Sequence, residues 1–285
     1  MLASSADFSP ASHRQEISAM RIGIIQMDIV KGNRAANKRV VAERVGELMQ
    51  RPSPPQVIVL PELWSTGYDL KHAASLATPL GEDEAVFLGE LARQYHVAFA
   101  GGSVISLHEG RLFNRAQVVD ETGRLIAGYD KIHLFSPMSE DTVFTAGQSA
   151  TPFFLYGICC ACIICYDLRF CELALKHALE GAQILFISAE WPLVRADHWM
   201  TLLRARAIEN QIFIAACNRC GGKGAACFAG NSMIIAPDGS VLAHADEKEA
   251  LLCADLNLDL IRTTRSAIHF FEDRAPQAYI ASMHS

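Results

Sequence analysis

Short apolar runs alternate along this chain with longer segments in which apolar residues recur at helical spacing. The apolar runs at 20–29 and 56–62 predict buried strands, whereas the spacing over 33–50 and 81–96 predicts helices. Three further strands, joined by turn-like segments, are predicted between 97 and 135. The first half of the chain therefore predicts strands intermixed with helices, as in α/β proteins.

The second half continues this intermixing of strands and helices. Its predicted elements, in chain order, are a helix over 172–180, a strand over 182–190, a helix over 195–210, a strand over 211–218, a hairpin over 230–245, a strand over 249–257 and a short helix. Because hairpins occur beside strand–helix alternation, we expect mixed sheets on the inside and helices on the outside.

The domain organisation follows from what lies between these elements. No stretch rich in Pro, Gly or Ser divides the chain, so we expect one domain over 20–285. Residues 1–19 are small and polar and lack the apolar segment of a secretory signal. We expect them to form a disordered extension, or to result from a start codon that was wrongly assigned upstream of the true one.

Composition and charge exclude some classes of function. The 285 residues are 51% hydrophobic, enough for a large core, but no apolar segment approaches the roughly 20 residues of a membrane span. The net charge of -6 and the lack of a long basic run argue against a nucleic-acid partner. The 9 cysteines are odd in number and lie in apolar runs, which favours free thiols in a reducing cytoplasm over disulfides.

Three reactive side chains lie where predicted strands end or enter loops. Glu62 closes the run VIVLPE, Lys131 lies in GYDKIHLF, and Cys165 closes ACIIC. Ligand sites in open α/β sheets gather outside the carboxyl ends of strands. A thiol, a carboxylate and an ammonium at that edge favour acyl transfer, with the thiol as nucleophile, the carboxylate moving protons and the ammonium stabilising an oxyanion.

The local sequence suggests how two of these groups titrate, and each also has a plain alternative. Cys165 precedes a predicted helix N-terminus, where the pKa of a thiol falls, but it could also be core filler among neighbouring cysteines. Glu62 is followed by apolar Leu63 and Trp64, where the pKa of an acid rises and suits a base, but it could also be a solvated loop acid. Lys131 alone could be a surface lysine.

Together, the segments around these residues resemble a known family. LPELWSTGY (60–68), YDKIHLF (129–135) and ICYDLRF (164–170) resemble the three signature segments of the nitrilase, or carbon–nitrogen hydrolase, superfamily, in that family's order. The segments 198–219 and 228–239 look like its later segments, so the resemblance covers roughly residues 20–260.

The resemblance implies a four-layer α-β-β-α sandwich and a catalytic triad of Glu62, Lys131 and Cys165. A second glutamate of the family corresponds to Glu140, with Asp141 as the neighbouring alternative. The implied reaction needs no metal and no cofactor: the thiol attacks an amide, ammonia leaves, and water hydrolyses the thioester.

The oxyanion of this reaction needs donors. Lys131 and the backbone N–H of Tyr166 are expected to supply them. On a strand, positions 160, 162 and 164 face one side, and Ile164 interrupts the cysteines there, so we expect no metal in 159–165. We expect no zinc knuckle in 217–227 either.

One pair of segments indicates a branch of the family. AEWP (189–192) together with RAIENQ (206–211) looks most like the ω-amidase-type branch, which removes ammonia from ω-amides of small dicarboxylic acids such as 2-oxoglutaramate. We therefore expect a small carboxylated amide as substrate.

A substrate carboxylate calls for an arginine. We prefer Arg195 for this role, because it lies in a loop that leads into a helix. Arg169 is a second candidate, although an ion pair with Asp167 or another nearby acid is its plainer role. Trp191 and Tyr68 are expected to line the pocket or to pack in the core.

Two other functions remain open at this point. An N-carbamoyl amino acid hydrolase or a nitrilase would use the same triad. A catalytically inactive binding protein is a third possibility, which the complete Glu–Lys–Cys set argues against. The family resemblance also implies a homodimer or a higher homo-oligomer.

Overall fold

Two mixed β-sheets pack against each other, and helices cover their outer faces. The computed structural model describes residues 18–224 and 226–278. The first sheet has the order β15-β1-β2-β4-β5-β6, with β3 beside β4. Its strands are β1 (Ala19–Gln26), β2 (Val57–Val59), β3 (Thr78–Pro79), β4 (Ala98–His108), β5 (Arg111–Val119), β6 (Leu125–Asp130) and β15 (Ala250–Asn257).

The second sheet has the order β14-β13-β10-β9-β8-β7. Its strands are β7 (Phe153–Leu155), β8 (Ile158–Ile164), β9 (Ile184–Ala189), β10 (Phe213–Asn218), β13 (Met233–Ile235) and β14 (Val241–His244). A separate antiparallel pair is formed by β11 (Cys220–Lys223) and β12 (Ala226–Ala229). The helices are α1 (Arg34–Met49), α2 (Ala73–Leu76), α3 (Glu82–Tyr95), α4 (Cys171–Leu179), α5 (Ala196–Asn210) and α6 (Asp259–Ala267).

Alternation along the first sheet divides its apolar side chains between two layers. Ile22 and Ile24 of β1 lie in a core shared with the strands of the second sheet. Ile25 points to the opposite face and packs in a cluster with Val41 of α1 and Leu88 of α3. Burial of both faces explains why these strands are continuous apolar runs.

Helix α5 covers the second sheet in the same manner. Its buried residues include Trp199, Leu203 and Ala207, which lie in one cluster with Phe213 of β10. The predicted α-β-β-α architecture with mixed sheets is therefore confirmed.

The observed elements start and stop close to the predicted positions, with a few differences. Strand β1 begins at Ala19, the last residue of the predicted extension, and residues 1–17 lie outside the described residues. The short elements α2, β7, β11 and β12 were not predicted, because segments of three or four residues are too short to show a clear period. The assignment of 20–285 to one domain stays a prediction.

Two features of the described residues bear on function. Among them, no helix is long and apolar enough to cross a bilayer, and no group of three or more His, Cys, Asp or Glu side chains could hold a metal ion. All 9 cysteines carry free thiols.

Candidate active site

The three residues singled out in the sequence converge from two different sheets. Glu62 follows β2 and Lys131 follows β6, both in the first sheet, whereas Cys165 follows β8 in the second. Glu62 and Lys131 have no solvent exposure, and Cys165 is 5% exposed. The carboxyl ends of these strands thus bring a thiol, a carboxylate and an ammonium to one buried place.

Lys131 lies between two carboxylates. Its Nζ donates hydrogen bonds to Glu62 Oε1 and to Glu140 Oε2, both at 2.7 Å. Asn114 of β5 bridges the same two carboxylates: its Nδ2 donates to Glu62 Oε1 and to Glu140 Oε1 at 2.8 Å each. We call Glu62, Lys131 and Glu140 the buried cluster. Asp141, the alternative to Glu140, is exposed.

Each charged group of the buried cluster shifts the pKa values of the others. Burial alone would lower the pKa of Lys131, but the carboxylates of Glu140 and Glu62 raise it, so the ammonium keeps its charge. Burial and the charge of Glu62 raise the pKa of Glu140 in spite of Lys131. Two carboxylates share one ammonium, and Glu140 is the one that retains a proton more readily.

The pKa of Glu62 moves in the direction opposite to the prediction. Burial would raise this pKa, but the charge and hydrogen bond of Lys131, with donations from Tyr68 and the Glu190 backbone N–H, lower it. The predicted rise was wrong because the sequence shows the apolar neighbours of Glu62 and not the donors brought from distant segments. An ionised Glu62 is a ready proton acceptor.

Cys165 occupies a sharp turn. Strand β8 ends at Ile164, Cys165 takes a left-handed φ of 46°, and a 3-10 turn covers Cys165–Arg169. A positive φ is uncommon for a residue with a Cβ and marks a position that the surrounding structure enforces. The turn directs the thiol away from the line of the strand and towards Glu62.

The thiol of Cys165 is not acidified in this site. Burial, and then the nearby carboxylates of Glu62 and Glu140, raise its pKa well above the usual range, although Lys131 opposes them. The predicted fall was wrong, because a short 3-10 turn and one ammonium do not outweigh burial beside two carboxylates. The resting thiol is therefore protonated.

Asp167 joins the segments that carry Lys131 and Cys165. Its buried carboxylate accepts hydrogen bonds from the Tyr129 hydroxyl at 2.7 Å, from the His133 backbone N–H at 3.0 Å and from His133 Nδ1 at 2.8 Å. These contacts fix the segment around Lys131 against the turn after Cys165. Nothing in the sequence around Asp167 indicated this role.

A narrow pocket leads to Cys165. Its lining combines aromatic and other apolar side chains with two arginines, one glutamate and the thiol: Tyr68, Phe135, Met138, Cys165, Tyr166, Arg169, Glu190, Trp191, Pro192 and Arg195. Tyr68 and Trp191 line the pocket as predicted, and both are also held by hydrogen bonds, from Tyr68 to Glu62 at 2.7 Å and from Trp191 Nε1 to the Arg195 carbonyl at 2.8 Å. The oxyanion role of the Tyr166 N–H stays a prediction.

The two predicted arginines both lie against this pocket. The Arg169 guanidinium lies 4.9 Å from the Trp191 ring centroid and donates to His198 Nδ1 at 3.1 Å. The Arg195 guanidinium lies 5.9 Å from the Phe135 ring centroid. Both arginines are half-buried, and neither is in a salt bridge with a carboxylate of the described residues. We call them the arginine pair.

The plainer role expected for Arg169 is wrong. Asp167 pairs with His133 at 2.8 Å, and its carboxylate is fully used within the turn. Arg169 therefore lines the pocket without a carboxylate partner among the described residues, as Arg195 does.

Sequence reasoning missed two residues of the site. Asn114, which bridges the two glutamates, is one of several polar residues in β5, and the sequence gives no sign of its partners. Glu190 belongs to the segment AEWP, yet its own contacts could not be foreseen. Its backbone N–H donates to Glu62 Oε2 at 2.8 Å, and its carboxylate accepts from Arg219 Nη1 at 2.8 Å. Burial raises the pKa of Glu190, but the Arg219 guanidinium opposes this rise and favours the ionised carboxylate.

Two stacked mixed sheets with outer helices, and a thiol beside a Glu–Lys–Glu cluster, define a hydrolase of the nitrilase superfamily. A family model described as carbon-nitrogen hydrolase matches residues 21–266, so the chain belongs to that family. It is a hydrolase acting on carbon–nitrogen bonds other than peptide bonds, which confirms the predicted enzyme class.

Individual proteins resemble the chain over most of its length. A 2-oxoglutaramate amidase of Bacillus subtilis (strain 168) is 39% identical over 258 residues, covering 90% of this chain and 98% of the relative. The omega-amidase YafV of Escherichia coli (strain K12) is 32% identical over 257 residues, covering 89% and 96%.

Solved structures agree with the fold. A carbon-nitrogen hydrolase from Helicobacter pylori G27 matches with a TM-score of 0.87 at 23% identity, covering 94% of this chain and 99% of that one. The CN-hydrolase superfamily protein XC1258 of Xanthomonas campestris matches with a TM-score of 0.84 at 27% identity, covering 91% and 98%.

Proposed function

We propose that this protein is a cysteine-dependent ω-amidase that hydrolyses the terminal carboxamide of a small carboxylated substrate, such as a 2-oxo acid amide, to the acid and ammonia. The observation that carries this proposal is the lining of the pocket. Cys165 and the arginine pair line the same pocket: Cys165 is buried, whereas the arginine pair is half-buried and has no carboxylate partner among the described residues. The names of the relatives support the same substrate class.

The first half of the reaction forms a thioester. Ionised Glu62 takes the thiol proton as the Cys165 sulfur attacks the amide carbon, since the raised pKa of the thiol makes proton loss before attack unfavourable. The carbonyl oxygen becomes an oxyanion held by Lys131 and the Tyr166 backbone N–H. Lys131 has three N–H donors: two bind the glutamates of the buried cluster, and the long contact of 3.4 Å to the Tyr68 hydroxyl is the one that an oxyanion would replace. Glu62 then returns the proton to nitrogen, the C–N bond breaks, and ammonia leaves.

The second half releases the acid. Water loses a proton to Glu62 as it attacks the thioester carbon, and the same oxyanion donors hold the second tetrahedral intermediate. The C–S bond then breaks, and the proton passes from Glu62 to the departing sulfur. Glu140 stays in contact with Lys131 throughout and keeps the ammonium in place.

The arginine pair accounts for the carboxylated substrate. Guanidinium groups bind planar carboxylates with paired hydrogen bonds, and they bind more strongly when partly withdrawn from water. An N-carbamoyl amino acid also carries a carboxylate, so the arginine pair alone does not separate it from an ω-amide.

The proposal is tested by ammonia release from a panel of substrates. The panel contains 2-oxoglutaramate, 2-oxosuccinamate, an N-carbamoyl amino acid, an aliphatic nitrile and butyramide, which lacks a carboxylate. We expect the 2-oxo acid amides to turn over fastest and the Cys165→Ala variant to be inactive. Fastest turnover of the carbamoyl compound or the nitrile would change the substrate class. No turnover of any compound would support an inactive binding protein instead.

The expected homodimer and cytoplasmic location are also proposals. Exposed apolar side chains on and after the outer helices support self-association, including Leu179 (49% exposed), Ile208 (50%) and Ile268 (65%). The free thiols support a reducing compartment. Light scattering after size-exclusion chromatography tests the first, and a monomer at micromolar concentration would contradict it.

A further inference from the structure

The side chain of Glu190 has one carboxylate oxygen without a partner. Glu190 follows β9, lines the pocket together with Cys165, and is 1% exposed. Its Oε2 accepts from Arg219, whereas its Oε1 is buried and accepts no hydrogen bond from any described residue. A buried acceptor without a donor is costly, so such a group at a pocket indicates that a ligand supplies the donor.

The other carboxylates at this end of the pocket have no comparable vacancy. Both oxygens of Glu62 and both oxygens of Glu140 accept hydrogen bonds from protein donors at 2.7 to 2.8 Å. A primary carboxamide brings two N–H donors into this buried space. Of the carboxylate oxygens of these three glutamates, only Glu190 Oε1 has no donor yet.

The protein holds Glu190 firmly through its other oxygen. Arg219, which binds Oε2, is itself fixed by Asp28 Oδ1 at 2.9 Å and by the Ile29 carbonyl at 2.7 Å. Gly67 lies on the side of Oε1, and a Cβ there would lie 3.6 Å from Oε1. With no side chain at Gly67, the space beside Oε1 is not filled from that direction.

We propose that Glu190 Oε1 accepts an N–H of the substrate carboxamide, which makes Glu190 a substrate-binding residue that selects primary amides over esters of the same acyl group. This inference rests on the proposed amidase function. The backbone N–H of Glu190 already contacts Glu62, so the side chain extends from the place where the C–N bond breaks. The same oxygen would hold an N–H of the departing ammonia.

Binding to an inactive enzyme tests this without relying on turnover. In the Cys165→Ala background, the affinity for 2-oxoglutaramate and for the ω-methyl ester of 2-oxoglutarate is measured by calorimetry, with and without Glu190→Gln. We expect Glu190→Gln to weaken binding of the amide about tenfold or more, since the Gln NH₂ group would face the amide N–H. Binding of the ester, which has no N–H, should change by less than about twofold.

A matched control separates binding from support. Asp28→Asn loosens Arg219 but keeps the Glu190 carboxylate, so it should weaken amide binding less than Glu190→Gln does and leave ester binding unchanged. If Glu190→Gln weakens binding of both ligands equally, Glu190 is only structural and the inference is overturned. Should Glu190→Gln not fold, Glu190→Asp keeps the charge beside Arg219, withdraws Oε1 by one methylene, and should show the same loss for the amide alone.

The result also distinguishes this inference from the proposed function. Amide-selective loss of binding without turnover of any panel substrate by the wild type would contradict the amidase function alone. Turnover of the amides with equal losses for both ligands would contradict the role of Glu190 alone. Failure of the Cys165→Ala protein with an intact Glu190 to bind either ligand would contradict both the proposed function and the role of Glu190.

Discussion

The buried cluster and the arginine pair lie against the same pocket, but their charges are balanced differently. Each carboxylate oxygen of the cluster accepts a hydrogen bond from the protein, and its ammonium lies between two carboxylates. The arginine pair is half-buried and contacts aromatic rings and a histidine, with no carboxylate partner among residues 18–224 and 226–278. Charges that the protein itself compensates are in place before the substrate arrives, which suits chemistry. Charges left without a partner suit binding. Substitutions in the cluster should therefore lower kcat, and those in the arginine pair should raise KM.

Glu62→Gln gives the largest expected effect. Gln keeps the shape of the side chain but cannot take the thiol proton, so we expect kcat to fall by about 10³-fold. KM for the amide should change little, because the arginine pair is untouched. Steady-state ammonia release measures both constants. A rise in KM with unchanged kcat would contradict the assignment of the buried cluster to chemistry and of the arginine pair to binding.

Asn114→Ala tests whether the cluster depends on its bridging donor. Loss of hydrogen bonds to two carboxylates should lower kcat by about 10- to 100-fold, since a hydrogen bond to a charged group contributes on the order of 2 kcal/mol. Gln117→Ala is the matched control, because Gln117 is also a buried polar residue of β5 but donates to backbone carbonyls away from the site. A fall in kcat of equal size in both variants would contradict a specific role for Asn114.

Arg195→Ala tests the other region. We expect KM for 2-oxoglutaramate to rise about tenfold with kcat nearly unchanged, and butyramide hydrolysis to be unaffected because it lacks a carboxylate. Arg169→Ala should act in the same direction. Arg204→Ala removes an exposed arginine of α5 away from the pocket and should change neither constant. Equal losses for charged and uncharged amides would place the arginine pair outside substrate binding.

His177 of α4 is a third case, a buried titratable group that is compensated neither by the protein nor by a substrate. Its substitution is expected to have the smallest effect on activity. Both ring nitrogens are buried without a hydrogen-bond partner among the described residues, and burial lowers the pKa of His177 to about 4. The unfolded chain, with a pKa near 6.5, binds the proton more readily, so this group costs stability as pH falls from about 6.5 to about 4.

The prediction for His177→Leu is therefore a flatter stability curve in acid, with activity at pH 7.5 unchanged. Urea unfolding at pH 7 and pH 5 measures the free energy of unfolding, and the wild type should lose about 2 kcal/mol more than the variant over this interval. His269→Leu, at an exposed position, serves as the control. An unchanged pH dependence in the His177 variant would contradict the buried neutral imidazole.

The sequence predicted the fold well where burial is strong. Continuous apolar runs such as β1 and β9 are buried on both faces, and no other environment suits them. The pair β11–β12 was not predicted, because strands of four residues, one of them with two glycines, are too short to show a hydrophobic period. The triad positions were found because each follows an apolar strand within a segment typical of the family.

The electrostatics of the site were predicted less well. Sequence neighbours led to an expected fall in the pKa of Cys165 and a rise in that of Glu62, and both shifts have the opposite sign. The groups that decide these shifts are far away along the chain, as the pairing of Lys131 with Glu62 shows. The free oxygen of Glu190 could not be inferred at all, since an unmet hydrogen bond is a property of the folded site.

The division of the site between two sheets also has a consequence for biosynthesis. Glu62 and Lys131 follow strands of the first sheet and leave the ribosome before Cys165, which follows a strand of the second. A nascent chain that has formed only β1 to β6 holds the proton acceptor without the nucleophile, since β15, the last strand of the first sheet, follows Cys165 in the chain. Hydrolytic competence therefore arises in one step, when the two sheets dock, and the cell meets no half-built form of this enzyme that can attack its amides.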